Sequence, residues 1–163
     1  MSDLDFACGL FEKAIDYQKS NGYPSYVAVD RDSFIADIKA GRHFKIMEGE
    51  EVTCTFSLHD SDEPVWRAMD KEPAIYLHKA TVNPDFKGRD MLKSILDYTV
   101  NFCRERNIPR IRLDTWGDNV KLRDYYVQHG FRIVEYYQTP DTVRVNCNTR
   151  GNRVVLMELK VEH

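Results

Sequence analysis

Residues 82–90, VNPDFKGRD, combine the residue types of an anion-binding loop. Gly88 stands between Lys87 and Arg89, and the apolar spacing of a helix follows. Where a strand passes through a short loop into a helix, unpaired backbone N–H groups converge and the helix dipole adds about half a positive charge. The segment therefore predicts a phosphate or pyrophosphate site. An ordinary strand-to-helix turn is the alternative, because basic residues around a glycine are common.

A proton acceptor is the second group that could do chemistry. Residues 74–82, AIYLHKATV, predict a central strand, and alternation puts His78 on the same face as Tyr76. Histidine has the side-chain pKa best suited to a base near neutral pH. His78 is therefore a candidate general base, and a buried structural histidine is the alternative. Asp114 and Trp116 end the neighbouring predicted strand, where they could line an acceptor pocket or serve as a turn and a packed ring.

Hydrophobic spacing predicts the elements that must position these groups. A period near 3.6 predicts helices, and a period of two predicts strands. The expected helices lie around residues 10–18, 34–38, 89–105 and 118–129. The expected strands lie at residues 43–47, 52–58, 74–82, 111–116, 131–137 and 154–161, the first two forming a hairpin. In that hairpin Val52, Cys54, Phe56 and Leu58 are expected to face inward, and Asp30 or Asp32 is expected to cap the second helix.

The segments without periodicity are expected to be loops. Residues 59–73 carry several acids, and a loop of this length in a compact domain is often functional. A second polar loop is expected between residues 138 and 153. The whole pattern predicts one α/β domain over residues 1–163, with strands and helices alternating in its C-terminal two-thirds.

Composition narrows the function classes. The 163 residues are enough for one domain with a substantial core. A formal net charge of −3 gives no overall attraction to nucleic acid or to an acidic membrane. No stretch reaches the roughly 18 apolar residues of a membrane helix, and the start MSDLDFACGL lacks the features of a signal peptide. The four cysteines form no CxxC pair, which favours free thiols and a cytoplasmic location.

A metal site is not expected from the sequence. The histidines at positions 43, 59 and 129 do not have the spacing of metal ligands. No G-x-S-x-G elbow or Cys/His arrangement indicates a hydrolase.

Two motifs resemble signatures of the GNAT acyltransferase superfamily. LHKATVNPDFKGRDMLKSIL resembles its cofactor-binding segment, in which a strand ending V-x-P runs into an Arg/Gln-x-x-Gly-x-Gly/Ala loop and a helix. RLDTWGDNVKLRDYYVQHGF resembles its second signature, a strand, an Asn, a helix and Tyr-x-x-x-Gly-Phe. The motifs occur in the expected order, and the resemblance covers residues 74–137 closely.

The resemblance implies a fold. It is a mixed, mostly antiparallel sheet of about six to seven strands flanked by about four helices, with a splay between two central strands. One departure is that the family's first strand cannot be identified before the opening helix.

The resemblance also implies a cofactor site for acetyl-CoA as co-substrate. The main chain of Ala80, Thr81 and Val82 would pair with the pantetheine arm, for which the splay would leave a slot. The loop amides would hold the pyrophosphate: Lys87, Gly88, Arg89, Asp90, Met91 and Leu92.

The resemblance also implies functional roles for two residues of the second motif. Asn119 would contact the cofactor, and Tyr126 would protonate the leaving thiolate. A phenol with a pKa near 10 stays protonated at neutral pH and is a reasonable donor. The alternative is that Tyr125 and Tyr126 are core aromatics; the spacing to Gly130 and Phe131 favours Tyr126 as the acid.

The loop departs from the family pattern at its end. Asp90 stands where a Gly is usual, and Leu92 where a Gly or Ala is usual. A carboxylate about 5 Å from a pyrophosphate would oppose it by about 1 kcal/mol even with strong screening. As a helix cap, however, Asp90 could accept hydrogen bonds from the next turn.

The expected function is transfer of an acetyl group from acetyl-CoA to a primary amine. Direct attack is expected because no nucleophile with an activating base is visible. The expected acceptor is a small-molecule or peptide amine, and the expected protein is a monomer or homodimer that binds neither nucleic acid nor membrane. The alternative is a non-catalytic module of the same fold that binds another ligand or a protein and has a degenerate cofactor loop.

Overall fold

A computed structural model describes residues 2–163, which form five α-helices and six strands. The helices are α1 (Asp3–Ser20), α2 (Arg31–Lys39), α3 (Glu63–Trp66), α4 (Met91–Glu105) and α5 (Val120–Gln128). The strands are β1 (His43–Glu48), β2 (Glu51–His59), β3 (Ile75–Val82), β4 (Arg110–Trp116), β5 (Arg132–Gln138) and β6 (Arg153–Lys160). Short 3₁₀ turns span Arg67–Lys71 and Pro84–Phe86.

The strands form one mixed sheet in the order β1-β2-β3-β4-β6-β5. The pairs β1–β2, β4–β6 and β5–β6 are antiparallel, and β3 runs parallel to β4. Within the described residues the parallel ladder pairs Ile75 with Ile111 and Tyr76 with Arg112, which agrees with the expected splay. The predicted α/β class and mostly antiparallel sheet are confirmed, with five α-helices in place of about four.

The chain divides into two compact units. The first unit comprises the residues up to His59 together with Leu77–Thr99. The second unit comprises Asp60–Tyr76 and Val100–His163. The single domain over residues 1–163 stays a prediction.

The first unit is built on α1 and α2. Their shared core contains Ala7, Cys8, Phe11, Ile15 and Phe34. Asp30 caps α2 by accepting the Ser33 N–H at 3.0 Å, which selects Asp30 over Asp32 as the cap. Between residue 2 and α1 the structure has no strand, in agreement with the departure noted in the sequence.

Strand β2 is buried on both faces, so the expectation of a single inward face was incomplete. Beside Cys54, Phe56 and Leu58, the alternate residues Thr53, Thr55 and Ser57 are also buried. Their small polar side chains can be covered because hydrogen bonds satisfy them. The Thr53 hydroxyl donates to the Ile46 carbonyl at 3.1 Å, and the Ser57 hydroxyl lies 2.8 Å from Nδ1 of His43.

The second unit has its own core around Trp66. Val65, Trp66, Ala74, Tyr76, Val145, Val154 and Leu156 are buried there. The prediction of a plain loop at residues 59–73 was wrong, because α3 and a 3₁₀ turn occupy it. Both are too short to produce helical periodicity, and burial of Trp66 fixes the segment. Among the described residues, no helix is long and apolar enough to cross a membrane.

Candidate active site

The predicted phosphate loop lies in the first unit between β3 and α4. Asn83 starts the turn by accepting the Asp85 N–H at 3.1 Å, and the buried Phe86 anchors it. The next residues, Lys87, Gly88, Arg89 and Asp90, are all exposed. Helix α4 begins at Met91, two residues later than the periodicity predicted.

Two residues of the loop have left-handed backbone conformations. Gly88 has φ +84°, and a Cβ built on it would meet nothing within 4 Å. Asp90 has φ +50°, and its carbonyl accepts the Lys93 N–H at 3.0 Å. Asp is one of the few residues besides Gly that tolerate this region. The loop therefore has a backbone shape suited to glycine at position 90 although the residue is aspartate.

The two cations of the loop are held by neighbours in the first unit. Nζ of Lys87 lies 4.7 Å from the centre of the Tyr17 ring, and Nη2 of Arg89 lies 2.7 Å from Oε1 of Glu48. A hydrogen bond with Tyr17 raises the pKa of Lys87, and one with Glu48 raises the pKa of Arg89. Both side chains are therefore charged at neutral pH, and both are exposed to an approaching anion.

The last residues of β3 follow a bend at Lys79. Lys79 has φ +53°, which interrupts the regular pleat of the strand. After it Ala80 is exposed, Thr81 is buried and Val82 is half-buried. The Thr81 hydroxyl donates to the Lys79 carbonyl at 3.0 Å.

His78 is half-buried, and its ring centre lies 4.9 Å from that of His59. Burial is the main cause that lowers the pKa of His78 to about 3, and the charges of His59 and Lys79 contribute to this shift. The imidazole is therefore neutral at pH 7 and can accept a hydrogen bond, but it is a weak base. His59 in turn pairs with the buried carboxylate of Asp37, with 3.0 Å between Nε2 and Oδ1. Sequence reasoning missed Asp37, whose only signal was a lone acid within a short helix.

Asn119 and Tyr126 lie in the second unit. Asn119 directly precedes α5, and Tyr126 lies within that helix. Asn119 caps the helix by accepting the Leu122 N–H at 3.2 Å. Tyr126 is 5% exposed and packs edge-on against Phe131, with ring centres 5.4 Å apart. Tyr125 is half-buried and stacks on His129, with ring centres 4.2 Å apart.

A carboxyl pair in the second unit was not predicted. An oxygen of Asp62 and an oxygen of Asp114 lie within 4.8 Å of each other. Burial raises the pKa of both, and the charge of Asp114 raises the pKa of Asp62 further. Asp62 is tied to Asp70, whose Oδ1 accepts the Asp62 N–H at 2.7 Å. Asp114 was expected to line an acceptor pocket or to serve in a turn, whereas no pattern indicated Asp62, which lies in the segment predicted to be a loop.

The predicted site residues thus divide between the units. The first unit holds His78, Ala80, Thr81, Val82, Lys87, Gly88, Arg89, Asp90, Met91 and Leu92. The second unit holds Asn119 and Tyr126. Within the first unit, one continuous stretch from β3 to the first turn of α4 brings the cofactor-loop residues together.

Comparison with known families identifies the family of this chain. The model of the Acetyltransferase (GNAT) family matches residues 10–131, and the chain belongs to this family. The resemblance inferred from the two motifs is therefore confirmed.

Individual relatives agree with the family. The chain is 23% identical over 140 residues to the uncharacterized N-acetyltransferase YesJ of Bacillus subtilis, covering 81% of this chain and 78% of YesJ. A GNAT-family acetyltransferase from Listeria monocytogenes superposes with a TM-score of 0.80 at 18% identity, covering 97% of this chain and 89% of that one. The structure of yncA from Salmonella typhimurium with its cofactor acetyl-CoA superposes with a TM-score of 0.64 at 17% identity, covering 99% and 92%. At these identities the structural likenesses establish the fold.

Proposed function

We propose that this protein is an acetyl-CoA-dependent N-acetyltransferase that acts on a primary amine. The observation that carries the proposal is the loop ahead of α4, in which Gly88 and Asp90 both take left-handed conformations beside two cations. Family membership and the fold shared with yncA, whose structure holds acetyl-CoA, support it. The acceptor class is proposed from chemistry alone, as a small-molecule or peptide amine.

The residues of the first unit fit a pyrophosphate. The backbone N–H groups at the start of α4 point out of the helix terminus, where an anion is favoured. The open space around Gly88 leaves room for a close approach to the backbone. Lys87 and Arg89 would add charge, while the main chain of residues 80–82 would hold the pantetheine arm. By the family resemblance, Asn119 would also contact the cofactor.

When bound, acetyl-CoA would supply the thioester carbon that the amine attacks. By the family resemblance, Oη of Tyr126 would hold a proton for the departing sulfur. The amine must lose its proton before it can attack. The imidazole of His78, which is neutral at pH 7, can accept a hydrogen bond from the amine.

Direct attack is supported by the state of the cysteines. Cys8, Cys54 and Cys103 are buried, and burial raises the pKa of each thiol. A thiol with a raised pKa is a poor nucleophile, since the thiolate is the reactive form. Cys147 is half-buried in the loop between β5 and β6. These features favour a mechanism without an acyl-enzyme.

A non-catalytic binding module is the second candidate. One observation in its favour is that Arg89, a cation of the loop, already forms an ion pair with Glu48. Another is that the carboxylate of Asp90 would repel a pyrophosphate. The left-handed backbone conformation of Asp90 argues against a binding module with a degenerate loop. Such a conformation costs energy and is found mainly at functional sites.

An acetyl-transfer assay separates the two candidates. The protein is incubated with acetyl-CoA and a panel of primary amines, and acetylated products are detected by mass spectrometry alongside release of the CoA thiol. An amine product that depends on the protein supports the enzyme. Binding of acetyl-CoA with no product from any amine, including peptide N-termini and lysine side chains, would favour the binding module.

A further inference from the structure

Lys79 has an unusual backbone conformation for a lysine inside a strand. Its φ is +53° although β3 continues from Ile75 to Val82. Side chains with a Cβ crowd the following carbonyl oxygen in this region, so such residues persist where their surroundings hold them in place. The first unit must therefore contain contacts that hold Lys79.

Those contacts come from one face of α2. Nζ of Lys79 donates to Oγ of Ser33 at 2.7 Å and forms an ion pair with the carboxylate of Asp37. It also lies 4.9 Å from the centre of the Phe34 ring. Ser33 and Asp37 are four residues apart and so lie on the same side of the helix. The side chain of Asp37 is 2% exposed and that of Lys79 is 12% exposed, so water competes little for the pair.

Asp37 is itself fixed on its other oxygen. Oδ1 lies 3.0 Å from Nε2 of His59 and 3.3 Å from Nη2 of Arg42. Burial alone would raise the pKa of Asp37, but the hydrogen bonds from His59 and Lys79 outweigh burial and hold the pKa well below its usual range. Asp37 therefore stays ionised at neutral pH and keeps its ion pair with Lys79.

The main chain of Lys79 is held as well. Its carbonyl accepts the hydroxyl of Thr81 at 3.0 Å, which closes the bend on its C-terminal side. A residue with this conformation turns the peptide groups beside it away from the regular ladder. The conformation of Lys79 thus sets the direction of the main-chain groups of Ala80, the next residue.

We infer that the Asp37–Lys79 ion pair positions the cofactor-binding main chain. By holding Lys79 in its left-handed conformation, Asp37 presents the main chain of residues 80–82 to the pantetheine arm. This inference rests on the proposed function, in which those residues bind acetyl-CoA. Lys79 and Asp37 are positioning residues that act through the backbone and need not touch the cofactor.

Two substitutions at one position test this role. Lys79→Gly and Lys79→Ala both remove the ammonium and leave Asp37 with the same remaining partners. They differ because glycine takes positive φ freely and alanine does not. Lys79→Gly should bind acetyl-CoA within about threefold of the wild type, and Lys79→Ala at least about fivefold more weakly than Lys79→Gly. Affinity is measured by calorimetry at a temperature where both variants are folded.

A substitution on the helix side completes the test. Asp37→Asn should weaken acetyl-CoA binding in the wild-type background, because the ion pair that holds Lys79 is lost. It should change affinity much less in the Lys79→Gly background, where no side chain needs to be held, so the double-mutant cycle should show strong coupling.

Equal affinities of Lys79→Gly and Lys79→Ala, with normal binding by the wild type, would overturn the inference and leave the proposed function intact. Absence of acetyl-CoA binding by the wild type would instead overturn the proposed function and the positioning role with it. In that case thermal unfolding still tests whether residue 79 is held in a left-handed conformation. Lys79→Gly should then have a higher melting temperature than Lys79→Ala. Equal melting temperatures would contradict it.

Discussion

Arg89 and Glu48 form an ion pair across the first unit, with 2.7 Å between Nη2 and Oε1. Arg89 belongs to the loop ahead of α4, and Glu48 ends β1 in the neighbouring hairpin. Both side chains are about half exposed, at 50% and 55%. Exposed pairs contribute little to stability, so an anion bound at the loop would compete with Glu48 for the arginine.

Removing the charge of Glu48 should strengthen cofactor binding. In Glu48→Gln the guanidinium of Arg89 is free to meet a phosphate, and affinity for acetyl-CoA should rise about two- to fivefold at low salt. Asp3→Asn is the matched control, because it removes the carboxylate of another exposed ion pair, with Lys45, outside the loop. Calorimetry checks both, and equal effects of the two substitutions would count against a role for Arg89.

Affinity for acetyl-CoA should also fall as salt is added. Lys87 and Arg89 are exposed, and salt screens exposed charges strongly. Titrations at increasing sodium chloride concentration measure the effect. An affinity that does not change with salt would mean that neither cation contacts the phosphates.

The carboxylate of Asp90 should weaken cofactor binding. Asp90→Asn removes the charge while keeping a residue that tolerates φ +50°, so affinity for acetyl-CoA should rise about five- to tenfold. Asp90→Gly should raise the affinity for acetyl-CoA by a similar factor. At φ +50° a glycine has no Cβ to crowd the backbone, so this variant should keep the conformation of the loop.

A third substitution separates backbone from charge at this position. Asp90→Ala is also neutral, but its Cβ is unfavourable at positive φ, so it should lose about 1 kcal/mol of stability. Weaker binding of acetyl-CoA by the asparagine variant would show that the carboxylate is useful.

Much of the fold was predictable because hydrophobic periods are strong signals in long elements. Helix α4 and the strands β2 and β3 appear close to where their spacing placed them, whereas α1 begins at Asp3, seven residues before its predicted start. Periodicity failed where an element is a single turn long, as in α3, and in β2 it did not predict that the polar face would also be buried. Burial of Thr53 and Ser57 depends on hydrogen bonds to other segments, which no local pattern encodes.

Tyr126 should act through its hydroxyl and not through packing. Tyr126→Phe keeps the buried ring against Phe131 and should lower turnover by about 10²-fold or more. Affinity for acetyl-CoA and melting temperature should hardly change. Tyr125→Phe is the control and should stay active, because its ring is stacked on His129 at the helix end.

The comparison requires an acceptor amine from the panel above. Equal turnover by the two tyrosine variants would remove Tyr126 from the mechanism. A large loss of stability in Tyr126→Phe would indicate a structural hydrogen bond instead.

The lowered pKa of His78 should make the folded protein less stable in mild acid. The pKa of His78 falls from an ordinary value of 6.5 to about 3 on folding, so between these values the unfolded chain binds more protons. The free energy of unfolding should therefore decrease as pH falls from about 7 to 4. In His78→Gln that decrease should be smaller, as measured by urea unfolding at several pH values. An unchanged pH dependence would contradict the neutral state of the half-buried His78.

Asp114 should have the opposite effect. Burial raises its pKa above the unfolded value, so the folded state binds more protons and the free energy of unfolding falls as pH rises between the two. Asp114→Asn should then be more stable at pH 7, by roughly 3 °C in melting temperature. Asp70→Asn is the control and should be less stable, because Asp70 accepts hydrogen bonds from Asp62 and Ser61. A less stable Asp114→Asn would refute the raised pKa.

Candidate site residues could be proposed from the sequence only where they are adjacent in the chain. The loop from Lys87 to Leu92 and the helix with Asn119 and Tyr126 could be recognised because each is a short contiguous motif. Asp37 and Asp62 could not, since their importance comes from burial and from partners distant in sequence. The left-handed conformation of Lys79 also had no local signal, because lysine does not favour it.

Titration of the wild-type protein with acetyl-CoA by isothermal calorimetry tests the central claim most directly. The arrangement of the loop and of β3 predicts saturable one-site binding with a Kd below about 1 mM at low salt. This limit corresponds to a binding free energy of about −4 kcal/mol. No binding heat at millimolar acetyl-CoA would contradict the claim that this protein is an acetyl-CoA-dependent N-acetyltransferase.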